Sequence, residues 1–415
     1  MMNPANFPVA VLGGGIVGLS IALSLQKQGV NVLLLDKQAV GSGASQGNAG
    51  HIATEQVFPI ASPEVIKQLP SMLLDPLSPL HLDWRYLPKI APWLMRLACN
   101  MTPSRFERIH QALRALNGAS LPAWQNFAQQ WQLTPLVKVE GSLLVAEKAS
   151  SVASLRAHGD KLNRLGIRNQ WLDQSSLQER EPALADTQLG ALFYPDTGHV
   201  MDLNAMLASL LQSFIGLGGQ VVEHVDIQHI GKEGQYWALQ GNGQRFLAEQ
   251  LVIATGAFSK RWAKNLAGVD VPLDTERGYH LMLPAMKNTL SVPVSSYDRK
   301  FIMTPMQGGL RLAGTVEYAG LEAAPNMGRA EQLATLAKPM LNVDLDSNGK
   351  TAWMGFRPST ADSLPVIDRK GSLYFAFGHQ HLGLTQAPLT AQLVTELFFN
   401  RTSSLDLSPY RLNRF

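Results

Sequence analysis

Hydrophobic positions along this chain change rhythm several times, and each change predicts an element. Residues 9–12, Val-Ala-Val-Leu, form an unbroken apolar run bounded by glycines. The run is too short for a helix and has no polar face, which predicts a buried parallel strand. Ile21, Ala22 and Leu25 then fall at helical spacing up to Gly29, and residues 32–35 repeat the first pattern, ending in Asp36. Helical spacing returns over residues 104–131, with Phe106, Ile109, Leu113, Leu116, Trp124 and Phe127, and again over 152–165 and 202–217. Residues 227–246 alternate and are spaced by glycines as in a β-meander, and 251–257 read as a second buried strand running into a glycine turn. Strand patterns at 139–145, 277–286, 301–306 and 310–316 predict a separate sheet. The chain closes with a strand at 373–377, a glycine-containing loop at 378–385 and an apolar helix through Leu397.

The junction between the first strand and the first helix carries the most information. Gly13, Gly15 and Gly18 supply G-x-G-x-x-G there: a tight turn, bare backbone for a pyrophosphate, and close packing of helix on strand. The helix N-terminus offers unpaired N–H groups to phosphate. Asp36, 18 residues past Gly18, stands where an acid takes a ribose hydroxyl. An acid at that place argues against a 2′-phosphate, so the motif predicts NAD or FAD. Residues 37–51, KQAVGSGASQGNAGH, are a loop by composition, with small residues that let amides and hydroxyls crowd a phosphate or ring system.

Elsewhere the pattern is harder to fit to one fold. Residues 58–103 hold eight prolines among many apolar positions, which rules out one long helix. Within them Trp84, Tyr86, Leu87, Ile90, Trp93, Leu94 and Leu97 can form an amphipathic patch rimmed by Arg85, Lys89 and Arg96. A lid or interdomain packing segment is the favoured expectation, and an interfacial membrane contact through residues 70–97 is the alternative. Residues 353–367 place Arg357 between Phe356 and Pro358, and are expected to form a proline-bracketed turn. The fold expected is α/β: a Rossmann-like dinucleotide-binding domain from residues 1–85, 190–274 and 345–415. Into it is inserted an α+β substrate domain on an antiparallel sheet, from 86–189 and 275–344.

Composition narrows the function. A chain of 415 residues is long enough for two domains, and 46% hydrophobic against 16% charged residues suits a well-buried enzyme. A net charge of +3 without a basic block excludes a nucleic-acid surface as the expected partner. The single cysteine, Cys99, excludes an intrachain disulfide, and its flanks predict a packed thiol on a helix. No metal site is expected, because no ligand-spaced histidine or carboxylate cluster stands out. Neither a basic secretory n-region nor an apolar run of spanning length is visible, so the expected location is cytoplasmic, with a peripheral membrane position as the alternative.

Four blocks together resemble the FAD-dependent D-amino-acid oxidase superfamily, and within it most closely the bacterial D-amino-acid dehydrogenases. They are GGGIVGLSIALSL with Asp36; GSGASQGNAGHI; TERGYHLMLP at 275–284; and WMGFRPSTADSLPVID with FAFGHQHLGLTQAP. The similarity runs nearly end to end, and it implies the glutathione-reductase type of FAD-binding domain with FAD in extended form. The implied cofactor contacts are Gly13, Gly15, Ile16, Val17, Gly18, Asp36 and Lys37, then Ser42, Ser45, Asn48, Ala49 and Gly50, then Gly256. At the C-terminal loop they are Gly378, His379, Leu382, Gly383, Leu384 and Thr385.

The resemblance also implies a carboxylate-gripping role for Arg357, which a planar, permanently charged guanidinium suits. Tyr279 is implied as a hydroxyl reaching the substrate, with His51 and His379 favoured over His280 and His381 for touching flavin or substrate. The implied reaction is oxidative deamination of a D-amino acid, or of a cyclic secondary amine such as D-proline or D-hydroxyproline. Hydride would pass to flavin N5, and electrons then to a quinone or another acceptor. Two alternatives stay open: a sarcosine-like secondary-amine oxidase, and a flavoprotein subunit of a larger electron-transfer complex.

Overall fold

A computed structural model of the chain describes residues 6–60 and 78–415. Its first sheet is eight-stranded and is built around strand Asn6–Leu12, which pairs in parallel with Val32–Leu35 on one side and Gln244–Ile253 on the other. Val9, Ala10, Val11 and Leu12 are all buried, as an unbroken apolar run in a doubly covered parallel sheet requires. One face is covered by helices Ile16–Lys27, Leu203–Gly216 and Gly383–Phe398. Against the other face packs a cluster with Trp262 of helix Ser259–Ala267 and with Leu239 of the antiparallel strands 227–253. The last strand, Leu373–Phe377, joins Gln244–Ile253 in parallel, so the C-terminal helix begins at the same sheet edge as the first one.

A second sheet has nine strands and supplies the opposite wall of the site. Its centre is Leu273–Leu283, hydrogen-bonded antiparallel to Gly309–Tyr318 and Thr351–Thr360. Arg357 therefore sits inside a strand, directly opposite Glu276, and not in the turn expected from its prolines. The physical reason is that strand Thr351–Thr360 lies at one end of the sheet order, where the missing N–H of Pro358 costs no ladder bond to an outer neighbour.

Sheet membership also cuts the chain at other places than the proline and glycine punctuation suggested. Leu80–Leu82 pairs with Gly309–Tyr318, and Gly190–Tyr194 pairs with Ser142–Ala146, so both belong to the second sheet, as does Thr351–Thr360. The long helix Pro103–Gln130 packs its Leu113, Leu116 and Trp124 into the core of the first sheet. Trp124 Nε1 donates to Leu384 O at 2.9 Å, which ties that helix to the start of the C-terminal one.

Within the proline-rich stretch, Leu87–Cys99 is a helix with Pro88 in its first turn and Pro92 inside it. Ile90 and Trp93 are buried against Tyr318 and Ala361, and Trp93 Nε1 donates to Ser359 O at 3.0 Å. This is the packing segment expected from the pattern; the 70–77 part of the proposed membrane contact lies outside the described residues. Cys99 is exposed, which corrects the packed thiol expected from its apolar flanks. The inward face of this short helix is filled by Ile90 and Trp93, leaving Cys99 at the last turn on the outer side. Among the described residues no helix is long and apolar enough to cross a membrane.

Candidate active site

The two sheets enclose a cleft of about 1200 Å³ whose floor is the G-x-G-x-x-G turn. Gly13 has φ +107° and lies so close to Ala254 that a Cβ would stand 2.4 Å from its carbonyl oxygen. Gly18 packs on Gly13 itself, with the corresponding distance to Gly13 O only 1.8 Å. Any side chain at either place pushes helix and strand apart. At the end of the second strand, Asp36 accepts from Gly14 N–H at 2.6 Å through Oδ2 and from Gln38 N–H at 2.8 Å through Oδ1. Burial raises its carboxyl above the usual range, and those two N–H groups work against the shift.

The 37–51 loop forms one side of the cleft and is held from both directions. Ser45 Oγ accepts from Ile16 N–H at 2.8 Å, satisfying an amide of the first helical turn. From the second sheet, Arg311 Nη1 donates to Asn48 O at 2.6 Å and Gln46 O at 3.2 Å, and His280 Nδ1 lies 3.0 Å from Gly47 O. His280 stacks on Trp353 with ring centroids 5.1 Å apart, and Gly47 presses on that indole closely enough to exclude a Cβ. Burial lowers Arg311 to about 10 and His280 to about 4, so the imidazole is neutral. Arg311 and Trp353 were missed from the sequence: both sit in ordinary strand patterns, and only their contact with a loop over two hundred residues away reveals their part.

The expected site residues separate into those that line the cleft and those that support it. Gly13, Gly15, Ile16, Val17, Asp36, Lys37, Ser42, Ser45, Asn48, Ala49, Gly256, His379, Gly383, Leu384, Tyr279 and Arg357 all line it. Lys37 Nζ stands 3.2 Å from the centroid of the Phe258 ring, another lining residue. Gly18, Gly50, Gly378, Leu382 and Thr385 lie behind the wall, where Thr385 Oγ1 accepts from Ala53 N–H at 2.9 Å.

His51 is also behind the wall, buried and 3.9 Å from Glu55, with Nε2 unpaired among the described residues. His379 Nε2 is engaged by Thr390 Oγ1 at 3.0 Å. His381 also lines the cleft; its Nε2 lies 2.5 Å from Gln56 Oε1, and its Nδ1 has no partner among the described residues.

Arg357 occupies the wall opposite the nucleotide turn. Its guanidinium lies over Gly278, and among the described residues its one hydrogen bond runs from Nη1 to Thr315 O at 3.1 Å. Thr315 has φ +60° at a bulge of the central strand pair, a left-handed conformation that costs a β-branched residue energy and turns its carbonyl toward the arginine. Burial lowers the Arg357 pKa and raises that of Glu276; each group's charge opposes the other's shift.

Tyr279 is drawn elsewhere. Its hydroxyl donates to Glu317 Oε2 at 2.5 Å and accepts from Asn326 N–H at 3.0 Å. Arg277 next to it donates to the carbonyls of Ala319, Gly320, Ala323 and Ala324, so this pair fastens the 319–326 loop, whose Leu321 and Glu322 line the cleft mouth.

A parallel sheet carrying a dinucleotide turn, closed by an antiparallel sheet that presents a cleft-facing arginine, defines a two-domain nucleotide-dependent oxidoreductase. Over residues 8–397 the chain matches the DAO family, described as FAD dependent oxidoreductase, and it belongs to that family. It is 31% identical to a D-amino-acid oxidase of Bradyrhizobium diazoefficiens, over 99% of this chain and 100% of that protein. It is 27% identical to a D-amino acid dehydrogenase of Vibrio cholerae, over 98% of each. Among solved structures, glycine oxidase from Geobacillus kaustophilus aligns with a TM-score of 0.78 at 23% identity, covering 99% of both chains. L-proline dehydrogenase from P. horikoshii gives 0.72 at 18%, covering 100% of this chain and 98% of that one; these two likenesses show the fold. The protein is thus an FAD-dependent enzyme of the amino-acid oxidase and dehydrogenase family. Its residues fit the cofactor: the Gly13 turn, Asp36, the 42–49 loop that Ser45 ties to the first helix, and the 379–384 loop all line one continuous cleft.

Proposed function

We propose that this enzyme oxidises D-amino acids to imino acids, which water converts to 2-oxo acids. The observation that carries the reading is Arg357, a cleft-lining guanidinium with one main-chain partner and its remaining donors unclaimed among the described residues. A substrate carboxylate is the ligand that a planar fork in a half-buried cleft accepts best, because two parallel charge-assisted bonds offset the desolvation of both groups. Glu276, paired across the strand, keeps the site from being over-charged when no substrate is bound.

Bound FAD supplies the hydride acceptor for the substrate Cα–H. The chain's own contribution is position: Arg357 fixes the carboxylate, the 319–326 loop closes the substrate end, and the apolar Phe356 and Met354 line the wall between. Similarity along nearly the whole chain to proteins named for D-amino acids, at 31% and 27% identity, supports the D configuration. Trp84 and Met95, each 63% exposed beside Arg85, Lys89 and Arg96, support a peripheral membrane contact that would bring a quinone acceptor near.

The test is anaerobic mixing of the purified holoenzyme with D-amino acids, their L-forms, D-proline, D-hydroxyproline and sarcosine. Loss of the oxidised flavin band with D-forms only is the expected result. Bleaching by L-forms or sarcosine and not by D-forms overturns the reading.

A further inference from the structure

His381, on the cleft wall, is held through Nε2 by the side chain of Gln56. His381 Nε2 and Gln56 Oε1 are 2.5 Å apart, and Gln56 is itself anchored: its main-chain oxygen accepts from Asn117 Nδ2 at 2.7 Å. Asn117, fully buried on the long helix, accepts from Gln386 Nε2 at 2.8 Å through Oδ1, so the Gln56 backbone is tied to two helices. The Gln56 oxygen at that place requires a proton on Nε2 of a neutral imidazole. Nδ1 has no partner among the described residues and is not sealed from solvent, so its lone pair is left to the cleft.

We infer that Gln56 is a positioning residue that holds His381 as its Nε2–H tautomer, so that Nδ1 accepts a proton from the substrate's ammonium group. The inference rests on the proposed amine oxidation. The ammonium N–H bond breaks, an N–H bond forms at Nδ1, and the nitrogen lone pair freed on the substrate assists departure of hydride from Cα. His381 becomes an imidazolium that still donates to Gln56 Oε1.

In the absence of substrate, burial and the Arg357 charge hold His381 at about 4. A substrate carboxylate on Arg357 cancels that charge, so binding itself makes Nδ1 more basic. Among the described residues, the other ionisable groups near His381 include His51, His379 and, beyond Gln56, Glu55.

Histidine-labelled holoenzyme read by ¹⁵N NMR tests the tautomer without turnover. The expected results are a neutral Nε2–H His381, mixed tautomers in Gln56→Ala, and retention of Nε2–H with a raised His381 pKa in Gln56→Glu. Propionate, as a bare carboxylate, is expected to raise the His381 pKa in the wild type and not in Arg357→Ala. A wild-type Nδ1–H tautomer, or one indifferent to Gln56→Ala, overturns the inference whatever the substrate proves to be.

Kinetics supplies the second arm. His381→Gln is expected to lose about 10²-fold in kcat/KM where the substrate is ammonium, with the loss vanishing at high pH where it is already amine. A loss of the same size at every pH assigns His381 a packing role and overturns its part as proton acceptor. Failure of every D-amino acid to bleach the flavin would sink the proposed function, while the tautomer measurement would still decide the role of Gln56.

Discussion

The Arg357 guanidinium lies flat on the bare backbone of Gly278: a Cβ built on that glycine would stand 2.4 Å from Nη2 and 2.5 Å from Cζ. The contact joins two neighbouring strands and sets where the arginine's unclaimed donors point. Gly278→Ala is therefore expected to displace the guanidinium and leave the sheet intact, since the far end of a flexible side chain moves more easily than backbone. KM for the amino acid should rise about tenfold, equivalent to about 1.4 kcal/mol, with kcat and thermal midpoint little changed. Steady-state kinetics beside a melting curve checks it; a large loss of stability would show that the glycine serves the sheet instead.

Replacing the arginine separates charge from geometry. Arg357→Lys keeps the charge and loses the planar fork, whereas Arg357→Ala loses both. Losses of about 2 kcal/mol and 4 kcal/mol in transition-state binding are expected, in that order, read as kcat/KM. Flavin content should stay at the wild-type level in both, because the arginine stands on the wall facing the nucleotide turn.

Ser45 offers a test at the other end of the cleft. Its Oγ accepts the Ile16 N–H in the first helical turn. Ser45→Ala should cost about 1 kcal/mol of stability in the flavin-free protein, and flavin should be released at lower denaturant than from the wild type. Equal denaturation midpoints would mean that another group takes over the amide.

Stability should also record buried ionisable groups, with opposite signs. Burial pushes Glu55 up to about 7 from 4.5, so the folded state holds a proton that the unfolded state has released. That contribution is complete below pH 4.5 and is lost as pH rises through 7, about 3 kcal/mol in all. Glu55→Gln should remove it, and the variant should gain on the wild type between pH 5 and 8 in chemical denaturation.

The histidines act in the reverse sense. Burial lowers His51 and His379 to about 3 and His199, His280 and His381 to about 4. Below pH 6.5 the unfolded chain binds protons that the folded one refuses, so stability falls with acid. Uptake of several protons per molecule on unfolding at pH 5 is the expected measurement. Uptake of one or none would contradict their burial as neutral rings.

Much of this protein is legible in its sequence. The unbroken apolar runs at 9–12 and 32–35, the three glycines and Asp36 specify a unit whose strand pairing, Gly18–Gly13 packing and Gly14–Asp36 bond lie within thirty residues, and local interactions are what a linear pattern encodes. The cofactor and the family followed from that unit and three further motifs.

What the tertiary structure decided depends on contacts between distant residues. Arg357 could be singled out from its motif, but its place on a strand, against Gly278 and below Thr315 O, arises from pairing with chain seventy-nine and forty-two residues away. Tyr279, one residue from Gly278, also borders the cleft, yet its hydroxyl is claimed by Glu317 and Asn326, contacts that only the packing of the sheet and the 319–326 loop decides. His51 and His381 look equivalent as loop histidines. Folding places one behind the wall and turns a nitrogen of the other into the cleft, because Gln56 comes from a segment 325 residues earlier to meet His381.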